Sequence, residues 1–253
     1  MQKPAHQLRL DLIDNFPAFV RAAAYLKAVI AEHPYHRIAD IGGGANPMLD
    51  DGFIASAGIR YFLIDKSAIE LGKAPAGYVK IEADAAGSDD VFRQQLGGRK
   101  FDLIFSHMLL EHIEDPMQVH RNFYNALNPG GRCIHIYPSP NNLPLALNRV
   151  LPEKISGYFL RVAQPTRDLE GLQKKFKAYY RMCGAPGPEL TAKFEAIGYT
   201  VRQHTGYIGH DYYQRFEPLA KFEKKLRLLI HKLGLPLTSG CLLDLEKRVS
   251  GPV

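Results

Sequence analysis

The sequence predicts an α/β fold: a mainly parallel sheet covered by helices on both faces. Three observations carry this. Short apolar runs, the first three closing on an acid, alternate with helical stretches from residue 37 to residue 137. The first run, Ile38-Ala39-Asp40-Ile41, breaks into Gly42-Gly43-Gly44, a strand followed by a glycine turn. The runs are nearly continuous in apolar residues, as strands buried on both faces require.

In chain order, residues 7–33 read as helical, with Pro17 starting a second helix and Phe19, Ala23, Leu26 and Ile30 recurring at helical spacing. His33-Pro34 ends that segment. A strand over about 37–41 enters the glycine turn, and Pro47 offers a first helical residue after it. Tyr61–Asp65 and Tyr78–Asp84 read as the next strands, each closing on an acid. Ser88 caps a helix through Leu96, closed by Gly97-Gly98. Phe101–Ser106 is a fourth strand, and Asp115-Pro116 starts a helix to about Leu127 that Asn128-Pro129-Gly130-Gly131 stops. Cys133–Tyr137 is a fifth strand. Pro188–Ile197 reads as a helix ended by Gly198, Tyr199–Ile208 as a sixth strand, residues 218–233 as a basic amphipathic helix, and Cys241–Leu245 as a final strand.

At 253 residues the chain suits a single domain. Within it, residues 1–35 form an N-terminal helical segment and 138–187, rich in proline, an inserted lid or acceptor region. The net charge of +6 favours acidic partners or is simply a solvated basic surface. Cys133, Cys183 and Cys241 are scattered and form no CxxC, which argues against a disulfide framework or zinc site and for a reducing, cytoplasmic setting. No apolar run is long enough to span a bilayer. His107-Met108-Leu109-Leu110-Glu111-His112 fits neither H-E-x-x-H nor H-x-x-E-H, so no metal is expected.

A glycine turn at the carboxyl end of a strand suits a nucleotide-like cofactor, because glycine permits close backbone approach. A dinucleotide fingerprint would need glycine where Pro47 stands, although Asp65 sits where a ribose-binding acid belongs. An NAD(P)-dependent oxidoreductase therefore stays as an alternative.

Three segments in order carry a closer likeness: Ala39-Asp40-Ile41-Gly42-Gly43-Gly44, Phe101 through Ile113, and Leu127-Asn128-Pro129-Gly130-Gly131-Arg132. Together they resemble the class I S-adenosylmethionine-dependent methyltransferases of the small-molecule and glycan type. The resemblance implies a Rossmann-like seven-stranded sheet with an antiparallel last strand. It departs from the family at Asn46, where glycine is usual. By resemblance, Asp40 with Gly42, Gly43 and Gly44 lines the amino-acid and ribose end of S-adenosylmethionine. Asp65, with Lys66 beside it, meets the ribose diol, Asp84 and Ala85 meet the adenine, and Ser106 and His107 border the sulfonium. Each has a plainer reading: Asp40 as a turn cap, Asp65 as a helix N-cap, Asp84 as a solvated loop acid, His107 as a wall.

His112, just past the fourth strand, is the candidate general base, because imidazole titrates near neutrality. Tyr137, Tyr179, Tyr180, His204 and His210 are further candidates for acceptor contacts, and Asp115 reads as an N-cap. The expected acceptor is a small molecule or a glycan-like, lipid-linked molecule, and no nucleic-acid module is recognisable. The 218–233 helix either packs its apolar face on the sheet or makes peripheral membrane contact. A non-catalytic relative that keeps the fold is the remaining alternative.

Overall fold

The computed structural model describes residues 8–11, 21–141, 177–209 and 217–249. Its elements are β1 (Leu8–Asp11), α1 (Ala22–Glu32), β2 (Arg37–Ile41), α2 (Asp51–Ala57), β3 (Arg60–Asp65), α3 (Ala68–Lys73), β4 (Val79–Glu82), α4 (Asp89–Gln95), β5 (Phe101–His107), a 3₁₀ turn (Leu110–His112), α5 (Pro116–Ala126), β6 (Leu127–Pro138), α6 (Pro188–Ile197), β7 (Tyr199–Tyr207), α7 (Glu217–Lys232) and β8 (Gly240–Lys247). The sheet order is β1-β7-β8-β6-β5-β2-β3-β4. All neighbours pair in parallel except β8, which is antiparallel to both β6 and β7.

The seven expected strands are all present, with the last antiparallel. An eighth, β1, lies parallel to β7 within a stretch expected to be helical. The alternation Leu8-Arg9-Leu10-Asp11 has the period of a strand, and pairing to an exposed sheet edge decides a segment this short. Helix α1 occupies the later part of that stretch and buries Leu26, Val29 and Ile30. Pro17, Phe19 and most of the 138–187 insertion lie outside the described residues.

Two apolar cores flank the sheet. One packs α4, α5 and α6 through Phe92, Val119, Phe123 and Phe194 against Phe62, Ile64, Ile104 and Leu243. The other packs α1 and α3 against Ile38, Leu63, Leu103, Phe105, Ile134 and Leu242. The chain runs outward through β3 and β4 and returns at β5 beside β2. This reversal opens a crevice at the carboxyl ends of β2 and β5, where open α/β sheets hold ligands.

Local signals set the helix ends. Asp115 Oδ1 accepts from Gln118 N at 3.1 Å and Pro116 follows it in the first turn. Gly198, at φ 118°, ends α6. Asn128–Gly131 does not stop the chain as a separate turn. It bulges within β6, because Phe101 pairs with Leu127 while Leu103 pairs with Arg132. Asn128 donates to Asp102 across the bulge at 2.7 Å.

The antiparallel end of the sheet carries a buried ion pair. Arg132 Nε donates to Asp244 Oδ1 at 3.0 Å, Nη2 donates to Oδ2, and Nη1 reaches the Tyr35 hydroxyl at 3.2 Å. Asp244→Ala leaves a buried guanidinium uncompensated and should cost about 3–5 kcal/mol in urea unfolding. The double variant Arg132→Met, Asp244→Leu should recover most of that loss. A single variant of wild-type stability would contradict the role assigned to the pair.

Candidate active site

Asp40, next to last in β2, lies beneath the glycine turn and is 2% exposed. Its Oδ2 accepts from the Tyr61 hydroxyl at 2.5 Å and from Met48 N at 3.1 Å. Burial pushes its carboxyl up to about 6, against the lowering effect of those two hydrogen bonds. Both bonds run within the protein, so Asp40 braces the turn from beneath. A Cβ on Gly43 would lie 2.7 Å from the Asp40 carboxyl carbon, a separation that needs glycine. Gly42 and Gly44 take positive φ, 77° and 43°. Helix α2 starts only at Asp51, with Asp50 Oδ1 accepting from Phe53 N at 2.9 Å. Pro47 therefore belongs to the turn rather than to a helix start, because the bond from Met48 N to Asp40 holds this stretch out of helical geometry.

Asp65 ends β3, half-buried. Its Oδ1 accepts from Ser67 N at 2.8 Å, and Ser67 caps α3. Its Oδ2 faces the glycine turn, 3.1 Å from where a Gly44 Cβ would sit. Burial raises this carboxyl above its usual range. Lys66 beside it is exposed. Asp84 is exposed and folds its loop, with Oδ1 accepting from Ala86 N at 2.9 Å. Ala85 is buried, and its carbonyl accepts from Asn122 Nδ2 at 2.9 Å, as does that of Gly87 at 2.7 Å. Asn122 on α5 thus pins the loop after β4. It gave no signal in the sequence, because a lone asparagine on a helix reads as solvated.

Ser106 and His107 end β5 and alternate across the sheet. The Ser106 hydroxyl turns inward, 2.7 Å from His135 Nδ1, and only 1% of the residue is exposed. The hydroxyl is therefore engaged in the core, and the crevice meets Ser106 through its backbone. His135 Nε2 lies 3.0 Å from Cys133 Sγ, and burial holds this imidazole well below its usual range. His107 is half-buried, and burial lowers its basicity too. Met108 follows at φ 54°, its N–H bonded to Ile136 O at 2.8 Å, and this kink turns the chain over the glycines. Leu109 Cδ1 would lie 3.0 Å from a Cβ on Gly42.

The 3₁₀ turn brings Glu111 and His112 to this rim. His112 Nδ1 lies 3.1 Å from Lys177 O. A carbonyl only accepts, so Nδ1 carries the hydrogen in the neutral ring and Nε2 carries the lone pair. Nε2 is 3.8 Å from Glu111 Oε1. Glu111 is 3% exposed, its Oε2 has no hydrogen-bond partner among the described residues, and burial pushes its carboxyl up to about 7. Its carbonyl accepts from Tyr179 N and Tyr180 N at 2.7 and 3.1 Å. Glu111 was not singled out in the sequence, because a glutamate in a polar Glu-His step reads as surface.

Tyr137 and His204 are buried beyond this turn, with the Tyr137 hydroxyl 2.9 Å from His204 Nε2 and 3.3 Å from Gly184 O. Burial lowers the His204 imidazole to about 4. His210 lies outside the described residues. All three cysteines are free and buried, and no metal-holding group of His, Cys, Asp and Glu occurs among the described residues.

This arrangement defines a class I methyltransferase: a parallel sheet with an antiparallel last strand, a glycine turn over a buried aspartate, and an acid at the tip of the next strand. A family model described as a methyltransferase domain matches residues 5–204, and the chain belongs to that family. Solved structures share the fold. An S-adenosylmethionine-dependent methyltransferase from Mesorhizobium loti is 15% identical, with 89% of this chain and 98% of that one covered at a TM-score of 0.52. A structure of the Haloferax volcanii complex containing the Trm112 methyltransferase activator is 16% identical, with 91% and 92% covered at 0.52. Among curated proteins, none matches.

The cofactor is S-adenosylmethionine, and the dinucleotide alternative falls away. The residues fit it: the glycines put no side chain over the turn, and a carboxylate oxygen of Asp65 faces that turn. The chain is an S-adenosylmethionine-dependent methyltransferase, and its substrate is a methyl acceptor.

Glu111 supplies a test of the rim. Its raised carboxyl makes the native state hold a proton that the unfolded chain releases. The resulting loss of stability is absent below pH 4.5, grows as pH rises, and is complete above about 7. Glu111→Gln should therefore be more stable than wild type at pH 8, by roughly 1–3 kcal/mol, and lose that advantage at pH 4. Urea midpoints at both pH values check this; a gap that does not change with pH would contradict it.

Proposed function

We propose that the enzyme methylates an oxygen of a small-molecule or glycan-like, lipid-linked acceptor, with His112 as general base. The observation that carries this reading is the carbonyl of Lys177 against His112 Nδ1, which leaves the lone pair on Nε2. A carboxylate acceptor needs no base, whereas a hydroxyl gains from one as its oxygen attacks. S-adenosylmethionine brings an activated methyl group; the protein aligns it with the acceptor and excludes water. Glu111, ionised, steadies the imidazolium that His112 becomes on taking the acceptor proton. The amides of Gly42–Gly44 would hold the amino-acid and ribose end of S-adenosylmethionine and Asp65 the ribose diol, with Lys66 beside it. Asp84, Ala85 and the backbone of Ser106 and His107 complete the wall. Asp40 acts on the cofactor through the turn it braces.

Two substitutions separate binding from chemistry. Asp65→Ala removes the diol acceptor and should weaken S-adenosylhomocysteine binding by about tenfold or more, read by calorimetry. His112→Ala should leave that affinity nearly intact and slow turnover by about 10²–10⁴-fold on a hydroxyl acceptor. Full turnover in the second variant would remove His112 from the base role, and unchanged affinity in the first would remove Asp65 from the site.

A further inference from the structure

Helix α7 reverses the burial expected of it. Leu219, Phe222, Leu226, Leu229 and Leu233 recur at helical spacing and were expected either to pack on the sheet or to meet a membrane. They do not pack on the sheet: Phe222 is 63% exposed, Leu229 50%, Leu233 59% and Leu219 37%, and Leu226 is only partly buried. The side turned to the protein carries Glu223, Arg227 and Ile230 instead. Arg227 Nε donates to Glu223 Oε1 there, an ion pair four residues apart and almost wholly removed from water. A helix that buries its charges and exposes its leucines has another environment to satisfy.

From this reversal we infer that α7 docks the enzyme onto an anionic lipid surface. On the helix, Lys221, Lys225 and Lys232 lie along one flank of the apolar stripe, and all three are exposed. The exposed acid is Glu217 in the first turn, paired with Lys221 at 2.7 Å. The face therefore combines a projecting apolar ridge with a cationic border, the pattern by which a helix lies in a lipid interface with lysines reaching the headgroups. Leu235, 40% exposed just past the helix, continues the ridge. The net charge of +6 acts in the same direction. A second copy of the chain fits less well, because a two-fold contact through the ridge would gather the lysines of both copies with no acid between them.

The placement of α7 also matters. β7 is parallel to β6, so its last residue, Tyr207, and the first of β8, Gly240, both lie at the carboxyl edge of the sheet. Ser239 N donates to Tyr207 O at 2.6 Å and Ser139 N to Ser239 O at 3.1 Å. The strands that precede and follow α7 in the chain thus meet at the edge that holds the crevice. The docking itself stands on α7 alone, whatever the acceptor proves to be.

Co-sedimentation of the full chain with phosphatidylcholine vesicles, with and without phosphatidylglycerol, tests the inference. The wild type should bind the anionic vesicles and release at high salt. Phe222→Ser with Leu229→Ser, and separately Lys225→Glu with Lys232→Glu, should each lower partitioning by about tenfold or more. Because these side chains are exposed, both variants should still be stabilised by S-adenosylhomocysteine in thermal unfolding, which separates loss of docking from loss of fold or cofactor. Absence of anionic-vesicle binding by the wild type, or equal binding by the variants, would overturn the inference. So would a dimer in sedimentation velocity that the Phe222 and Leu229 substitutions dissolve, because a second copy would then cover the face.

Discussion

A buried carboxylate under three glycines is the constraint on which the rest of the site depends. Asp40 is out of water and bonded to Tyr61 and to Met48 N, so its position is fixed by β2, β3 and the loop after the glycines at once. Gly43 lies against it so closely that no side chain fits between them. The turn therefore cannot relax toward Asp40, and its outer surface stays open. Asp65 and Leu109 then set the distance across the crevice, because each approaches a neighbouring glycine of the same turn. A carboxyl raised to about 6 is the energetic trace of this arrangement, since burial opposes its charge and two hydrogen bonds only partly restore it.

The rim at the end of β5 follows a similar logic. The kink at Met108 carries the chain over the glycines and into the 3₁₀ turn, where a buried glutamate and a partly exposed histidine become neighbours. Keeping Glu111 out of water costs stability at neutral pH. Beneath the rim, Ser106, His135 and Cys133 form a polar chain in an otherwise apolar core. That chain fixes the end of β5 without presenting a group to the crevice.

Much of this was legible in the sequence, for identifiable reasons. Buried parallel strands are apolar almost throughout, so the runs at residues 37–41, 61–65 and 101–106 declared themselves. Glycine, proline and N-cap aspartate mark ends by backbone geometry, which is why Asp115, Pro116, Pro188 and Gly198 fell where expected. The misses have a common cause: tertiary contacts outweighed local pattern. Leu8–Asp11 became a strand because the edge of β7 was available to it. Pro47 lost its helix to a hydrogen bond with a residue eight positions earlier. Glu111, Asn122, Glu223 and Arg227 are polar residues buried by partners far away in the chain or across a helix turn, and periodicity assigns such residues to solvent. Ser106 was placed at the right strand end, but the face its hydroxyl takes depends on His135, which a strand count cannot supply.

The most direct measurement is a calorimetric titration of S-adenosylhomocysteine into the wild type and into Gly43→Ala, with circular dichroism to confirm that the variant is folded. The added methyl group must displace either the Asp40 carboxylate or the turn. The account predicts saturable binding by the wild type and its loss in the folded variant. Equal affinity in the two proteins would contradict it.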